Sequence, residues 1–346
     1  MNVPKLRFSN FSNDYEIKEI ADITYNVSSG KISKQLEDGQ YNVYGSMGVI
    51  GKSNFYDYTG EKVLVARVGA NAGSVSKINE NCCISDNTLV LEPKNILNDY
   101  LYYSLSYFNP KKLIFGSGQP LVTGTQIKKI KLSIPKKEEQ LKVAKFLSLL
   151  DKKIELQTKK IEDLKLFKLY IRNKIFSGIK TKDKIINTLN YEQPNRYIVK
   201  SDDYLNDENL IPVLTANKAF ILGYCNEDDY YNKGDVIIFD DFTMDSKYVN
   251  FNFKIKSSAI KLLTQKNNNN LKYIFECLQA LNLESTEHKR HYISIVQEIE
   301  IPVPDIIVQN KIANLMFMYD KKIKLESDNY NKLIELKKGL MQNMFV

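Results

Sequence analysis

The residues best suited to chemistry in this 346-residue chain lie in short polar runs between apolar ones. Asp240 and Asp241, with Glu287 and Lys289 further on, could hold a divalent cation for a nuclease, since clustered carboxylates beside a lysine suit Mg²⁺. A second set suits recognition instead of catalysis. The amides of Asn71, Gln119, Gln126 and Asn217 set a donor beside an acceptor, as the major-groove edge of adenine requires, whereas Lys289 and Arg290 suit guanine or phosphate. Ser46, Lys52, Ser117, Thr123, Lys218, Lys247, His291 and Tyr292 belong to the same or neighbouring short segments and complete the candidate surface.

Other catalytic signatures are missing. A base methyltransferase needs an Asn/Asp-Pro-Pro tetrapeptide ending in an aromatic and a glycine-rich cofactor loop. The nearest approach, Asn109-Pro110-Lys111, lacks the second proline and the aromatic. No glycine-lysine phosphate loop occurs. Cys82, Cys83, Cys225 and Cys277 show no CxxC spacing, and His288 and His291 are the only histidines, so the sequence predicts no zinc site, no disulfide framework and no cofactor. A reduced, cytoplasmic setting is the expectation, with no membrane association, because no signal-like segment opens the chain and no run approaches the roughly 18 uncharged residues of a span.

The candidate loops are set in a sequence that repeats itself. Residues 135–176 and 304–345 superimpose without a gap at an offset of 169: Pro135 matches Pro304, Gln140 Gln309, Ala144 Ala313, and Asp151-Lys152-Lys153-Ile154 matches Asp320-Lys321-Lys322-Ile323. A period this long implies two copies of a whole globular unit followed by a helix. The net charge of +8 is unevenly spread: +3 over 1–134, +8 over 135–182, −5 over 183–304 and +2 over the remainder. An acidic third block excludes wrapping of a polyanion by charge alone, so contacts there must come from local basic spots such as Lys289-Arg290-His291.

Within the repeated helical segments, Val143, Leu147, Leu150, Ile154, Ile161, Leu164, Ile171 and Ile175 follow the four-and-three spacing of a coiled-coil seam. Ile312, Met316, Tyr319, Ile323, Tyr330, Leu333, Leu340 and Met344 do the same. Gln157 and Lys168 interrupt the first seam, Glu326 and Lys337 the second, at equivalent places. These four polar slots predict an antiparallel intramolecular pair with Lys168 opposite Glu326 and Gln157 opposite Lys337, a register that also faces Ile161 with Leu333 and Ile171 with Ile323. Each segment, about 40 residues, would run about 60 Å.

Before each helix comes a mixed, strand-rich region. Glu61–Ala66 and Asn87–Leu91 read as strands in the first copy, Gly234–Phe239 and Ser258–Leu263 in the second, and the segments at Asp99–Tyr103 and Leu271–Phe275 open short helices. The last loop of each region differs most: Phe115–Thr123 against Ser285–Tyr292. Similar frames with dissimilar loops suit two units that read different short sequences, because a few side chains read base edges while the frame supplies position.

The pattern resembles the specificity subunit of a type I restriction-modification system. The resemblance rests on the opening Val3-Pro4-Lys5-Leu6-Arg7-Phe8, on Ile130–Pro135 and Glu139-Gln140 through Leu150–Ile154, and on their echoes at Ile299–Pro304 and Gln309–Ile323. It covers essentially the whole chain, with departures: Tyr15 stands where such proteins often carry Trp, and the second unit is compact and acidic. It implies an α+β fold with two target recognition domains, at 1–135 and 179–304, and two long antiparallel spacer helices, at 136–178 and 305–346. It further implies a non-catalytic subunit that binds the two halves of a split double-stranded DNA target, with two modification (methyltransferase) subunits docked on the helices and restriction subunits, motor and nuclease, completing the complex. The nuclease alternative has no counterpart of Asp240 and Asp241 in the first unit, where a duplicated function would need one.

Overall fold

The computed structural model describes residues 3–31, 37–46, 48–114, 118–216, 220–284 and 291–346. The chain divides into two compact units, residues 1–159 with 328–346, and residues 160–327. Unit 1 runs β1 (Glu16–Glu19), α1 (Ile20–Ile23), β2 (Thr24–Ser29), β3 (Tyr41–Gly45), β4 (Gly48–Ser53), β5 (Glu61–Ala66), β6 (Val75–Asn79), β7 (Cys82–Ile84), β8 (Thr88–Pro93), α2 (Asn98–Phe108), α3 (Gly124–Lys128) and β9 (Lys131–Ile134), then enters α4 (Lys137–Ser177). Unit 2 continues with β10 (Lys182–Lys184), α5 (Ile185–Thr188), β11 (Leu189–Glu192), β12 (Ile211–Leu214), β13 (Ile221–Cys225), β14 (Val236–Asp240), β15 (Ser246–Val249), β16 (Lys254–Ile255), β17 (Ile260–Gln265), α6 (Leu271–Ala280) and β18 (Glu300–Pro302) before α7 (Ile306–Met344).

The duplication extends to strand order. Unit 1 holds a four-stranded antiparallel sheet β2-β8-β5-β6, a three-stranded sheet β4-β3-β7 and the pair β1-β9; unit 2 holds β11-β17-β14-β15, β13-β12-β16 and β10-β18. One parallel pairing recurs in each three-stranded sheet, β3 with β7 and β12 with β16. The central strands read as unbroken apolar runs because both their faces are covered. Alternation along the strand then sorts the side chains: Val63 and Val65 join the core under α2, and Leu64 joins a second core with Cys82, Ile84 and Val90. In unit 2, Ile237 and Phe239 face α6, while Val236 and Ile238 face a core built around Tyr231, Phe253 and Leu262.

The two long helices are not bodies of their own, since each unit takes a stretch of both. Val143, Ala144 and Leu147 of α4 enter the core of unit 1 with Met344 and Phe345. The repeat-related Ile312, Ala313 and Met316 of α7 enter that of unit 2, with Ile171, Ile175 and Phe176 of α4 packed against them. The shared glutamines tie each helix to its unit. Gln140 accepts the backbone N–H of Leu97 at 3.0 Å and donates to the carbonyl of Pro135 at 2.9 Å. Gln309 accepts from the N–H of Asn270 at 2.9 Å and donates to the carbonyl of Pro304 at 2.9 Å. In both cases one amide satisfies the start of the domain helix and the proline entry at once.

The opening segment adds a tie found in unit 1. Arg7 grips the buried Glu139 through both carboxylate oxygens at 2.8 Å, and the Tyr15 hydroxyl donates to the same carboxylate at 2.8 Å. Tyr15 therefore fills the place expected of Trp with a phenol whose oxygen has a partner.

The seam positions are less exposed than their neighbours, as the heptads predict, but the register is one heptad from the expected one. Lys168 pairs with Asp320 at 2.6 Å, Lys160 with Glu326 at 2.6 Å, and Lys337 with Asp151 at 2.5 Å. In each unit the α4 and α7 stretches run antiparallel, so the direction stands and the pairings of Lys168 with Glu326 and Gln157 with Lys337 do not. The reason is that each charged seam residue, Lys168, Glu326 and Lys337, finds the opposite charge just beside the seam. Lys168 also meets an acid outside the helices, Glu276 of α6, at 2.9 Å. Seam positions alone could not reveal these partners.

The two junctions differ in what surrounds the repeated pair. Asp151 accepts a second bond from the Tyr103 hydroxyl at 2.7 Å. In unit 2 the equivalent of Tyr103 is Glu276, fully buried and flanked by Lys168, Lys272 and Arg172. Burial acts to raise the Asp320 carboxyl, yet hydrogen bonds from Lys168 and Lys272 outweigh it and hold it below the usual carboxylate range. We expect Lys168→Met to cost about 2–3 kcal/mol, because it strips a partner from the fully buried Glu276, which keeps Lys272, and Lys337→Met to cost about 1 kcal/mol, because Asp151 is partly exposed and keeps Tyr103. Urea midpoints of the two variants check the difference. The depressed Asp320 group contributes stability above its unfolded value of about 4 and loses it as pH falls through the lower folded value. Asp320→Asn should therefore flatten the acid limb of unfolding midpoint against pH below about 4.

Candidate nucleic-acid interface

Three loops of unit 1 carry the described recognition candidates. The turn after β5 and the segment before α3 run side by side: the N–H of Gly69 donates to the carbonyl of Pro120 at 3.0 Å, and that of Val122 to the carbonyl of Arg67 at 2.8 Å. Asn71 and Gln119 are thereby brought to one patch, Gln119 exposed and Asn71 half-buried. Gly73 seats the turn. Its φ is +81°, and a Cβ there would lie 2.5 Å from the backbone nitrogen of Lys111, so a side chain would force the turn away from the Pro110–Leu113 segment. That close approach also adds Lys111 to the patch, a residue the sequence reading passed over because its neighbourhood in space is not visible along the chain.

Two candidates in this region are committed to structure. Thr123 caps α3, and Gln126 closes the capping box: its side-chain oxygen accepts from the Thr123 N–H at 2.8 Å and from the Thr123 hydroxyl at 2.9 Å, while its amide nitrogen donates to the carbonyl of Leu113 at 2.9 Å. The Thr-x-x-Gln spacing was the signal for this cap. In the β3–β4 hairpin Ser46 lies in the turn, half-buried. Lys52 donates to Asn42 at 2.8 Å, and Asn42 in turn donates to Glu80 at 2.9 Å. Glu80 also accepts from the Tyr44 hydroxyl. Hydrogen bonds from Asn42 and Tyr44 hold the Glu80 carboxyl below the usual range, while burial, with help from Glu80, pushes the Tyr44 phenol up to about 12.

In unit 2 the corresponding loop is rooted in the core. Tyr292 is 1 % exposed, stacked on Tyr191 at 5.6 Å and packed on Phe239. His291 is buried as well, and the backbone N–H groups of His291 and Tyr292 both donate to the Asp241 carboxylate, at 2.9 and 2.8 Å. Neither aromatic is thus available as a base reader. The repeat offset carried this information: it sets His291 on Val122, which is buried, and Tyr292 on the cap residue Thr123. Lys247 sits half-buried on β15. Ser117, Asn217, Lys218, Lys289 and Arg290 lie outside the described residues.

The cation-site alternative loses its carboxylates to turn closure. Asp240 accepts from the N–H groups of Phe242 and Thr243 at 2.9 and 3.0 Å, and Asp241 holds the 291–292 segment with Lys261 at 3.6 Å. Glu287 and Lys289 lie outside the described residues. Among the described residues no three His, Cys, Asp or Glu side chains converge as metal ligands, and no helix is long and apolar enough to cross a membrane.

The described geometry, two copies of one mixed fold with a shared helical element and dissimilar loop ends, defines a class of duplicated recognition protein. Residues 12–166 and 175–336 each match the family described as the type I restriction modification DNA specificity domain, and the chain belongs to that family. It is 44 % identical over 140 residues, 36 % of this chain and 34 % of the relative, to the type I restriction enzyme EcoR124I/EcoR124II specificity subunit of Escherichia coli. It is 30 % identical over 186 residues, 49 % of this chain and 58 % of the relative, to a putative type I specificity subunit of Mycoplasma pneumoniae. The match thus spans less than two thirds of either relative. Among solved structures, the S subunit of a type I restriction-modification system from M. genitalium superimposes with a TM-score of 0.72 at 17 % identity, over 99 % of both chains, which shows a shared fold. A structure described as underlying complex assembly of the type I R-M system has a TM-score of 0.55 at 11 % identity, over 96 % of this chain and 97 % of the other.

Gln119 and Gln126 make opposite predictions from the same residue type. Gln126→Ala should lower stability by about 1 kcal/mol through the lost cap and shift binding to all DNA sequences alike. Gln119→Ala should leave stability unchanged and reduce discrimination at one base pair by about 1–3 kcal/mol, measured by competition among single-base variants of the bound duplex.

Proposed function

We propose that this chain is the non-catalytic DNA-recognition subunit of a type I restriction-modification complex, each unit reading one half of a bipartite duplex target. The observation that carries the reading is that the frame is duplicated down to strand order and helix ties, while the loops that would face DNA are not. A protein with one binding task has no use for two frames with different ends. The helices would set the spacing and rotational phase of the two half-sites, so that only targets of one gap engage both units together.

The helices also carry apolar residues that no core absorbs. Leu149 and Leu156 of α4 are 60 % and 58 % exposed, and their equivalents at the repeat offset, Met318 and Leu325 of α7, are 67 % and 58 % exposed. Phe167 and Leu336 form a third such pair. Each run has spacings of seven and then eleven residues, both of which return to one helix face. Two equivalent apolar strips support docking of two copies of one partner, which we assign to the modification (methyltransferase) subunits. By the same reading, restriction subunits complete the assembly, and methyl transfer and cleavage belong to these partners. A cytoplasmic location accompanies this role.

The spacer role is tested by inserting one heptad into both helices. In the register observed here the insertion after Leu164 is matched by one after Lys324, which leaves both repeated ion pairs intact. Purified with its methyltransferase partner, the variant should prefer half-sites with a longer gap. An unchanged preferred gap would refute the spacer role.

A further inference from the structure

Each unit contains a cavity at a place the repeat relates. In unit 1 a cavity of about 430 Å³ opens between the end of α2, β9 and the last turn of α7, with Phe108, Leu132, Gln342 and Phe345 among its walls. In unit 2 a cavity of about 390 Å³ opens between the end of α6, β18 and the last turn of α4, with Leu281, Ile301, Asn173 and Phe176 in the same places. Leu132 and Ile301, Gln342 and Asn173, and Phe345 and Phe176 stand at the offset that joins Asp151 to Asp320. Both floors are apolar, and both rims carry an amide side chain.

What the cavities share and what they do not identifies their occupant. A ligand specific to one half-target would follow the recognition loops, and those differ between units. An ionic ligand common to both is excluded by the rims, Lys112 and Lys131 in one against Lys182 and Glu300 in the other. What remains common is an apolar hollow beside an amide, the setting that takes an anchoring side chain of a protein partner. The position agrees with the docking strips. Phe167, Tyr170 and Asn173 are successive i, i+3 neighbours on α4, so the exposed rings form an oblique row that winds around the helix to the cavity mouth, and Leu336 stands the same six residues before Gln342 on α7.

We propose that the two cavities are sockets, each receiving one large apolar or aromatic side chain from one of two identical protein partners, with Gln342 or Asn173 hydrogen-bonding the backbone beside that anchor. This rests on the two-copy docking proposed above and adds where each copy is fixed. The test uses the full chain with its cognate methyltransferase subunit, counting bound copies by native mass spectrometry. The wild-type chain should bind two. Asn173→Trp and Gln342→Trp, each filling one socket, should weaken one copy at least tenfold, and the double variant should weaken both. If the double variant binds two copies as tightly as wild type, the sockets are not used although the docking reading survives; if the wild-type chain binds none, both fall. A second measurement does not depend on how the tryptophans are tolerated. The four native cysteines are buried, so Asn173→Cys and Gln342→Cys can be labelled selectively with a maleimide, and bound partner should slow both at least tenfold. Unslowed labelling in the two-copy complex would overturn the proposal.

Discussion

Two lysine–aspartate pairs, Lys168 with Asp320 and Lys337 with Asp151, are the constraint on which the rest of the structure depends. They are one interaction made twice, since Lys337 is the repeat of Lys168 and Asp320 the repeat of Asp151. An antiparallel pair of repeated helices can satisfy both at once in a single register, and any slip breaks both together. Flanking charges therefore set the alignment that the apolar seam alone would accept at every heptad. The same aspartates reach outward to the domain helices, through Tyr103 in unit 1 and Lys272 in unit 2, so helix register and domain placement are coupled within each unit.

The coupling is built differently in the two copies. Unit 1 uses a neutral phenol and a partly exposed ion pair, so little charge is desolvated. Unit 2 buries Glu276 completely and surrounds it with Lys168 and Lys272, with Arg172 at 3.6 Å from its second oxygen. A buried acid is tolerated when cations compensate it, and removing one is then costly. Where unit 1 has Tyr103, unit 2 has Glu276 together with Lys272 and Arg172, which makes the second junction the more dependent on charge.

Much of this architecture was legible in the residues. The fixed offset between Pro135, Gln140 and Asp151 and their echoes announced the duplication, and Gln140 and Gln309 repeat because each amide closes the same two backbone gaps. Heptad spacing gave the helices, and the polar slots gave their direction. The register escaped because Asp151 and Asp320 stand beside the seam, and Glu276 belongs to another element. Recognition residues were harder. Gln126 and Gln119 are the same residue in the same loop region, and only the Thr123 spacing distinguishes a cap from an exposed amide. Tyr292 and His291 looked like loop residues in a basic run, yet Val122 at the equivalent place is core.

The distribution of constraint explains why the loops of two units can diverge on one frame. Side chains that contact both a domain helix and a long helix, such as Gln140 and Asp151, serve several partners, so replacing any one disturbs backbone satisfaction and register together. Gln119 and Asn71 serve only the end of their own loops. Asp241 shows how far the freedom goes: the carbonyl of Arg67 accepts from the N–H of Val122 in unit 1 and that of Asp241 from the N–H of His291 at 3.1 Å in unit 2, where the buried Asp241 carboxylate also accepts from two backbone N–H groups, and the loop root is fixed in the same place. An equivalent backbone bond roots the loop in both units whatever the side chains, so what extends beyond the root is free to change without reaching the helices. The loops can therefore be altered at one unit while the ion pairs that align α4 with α7 stay as they are.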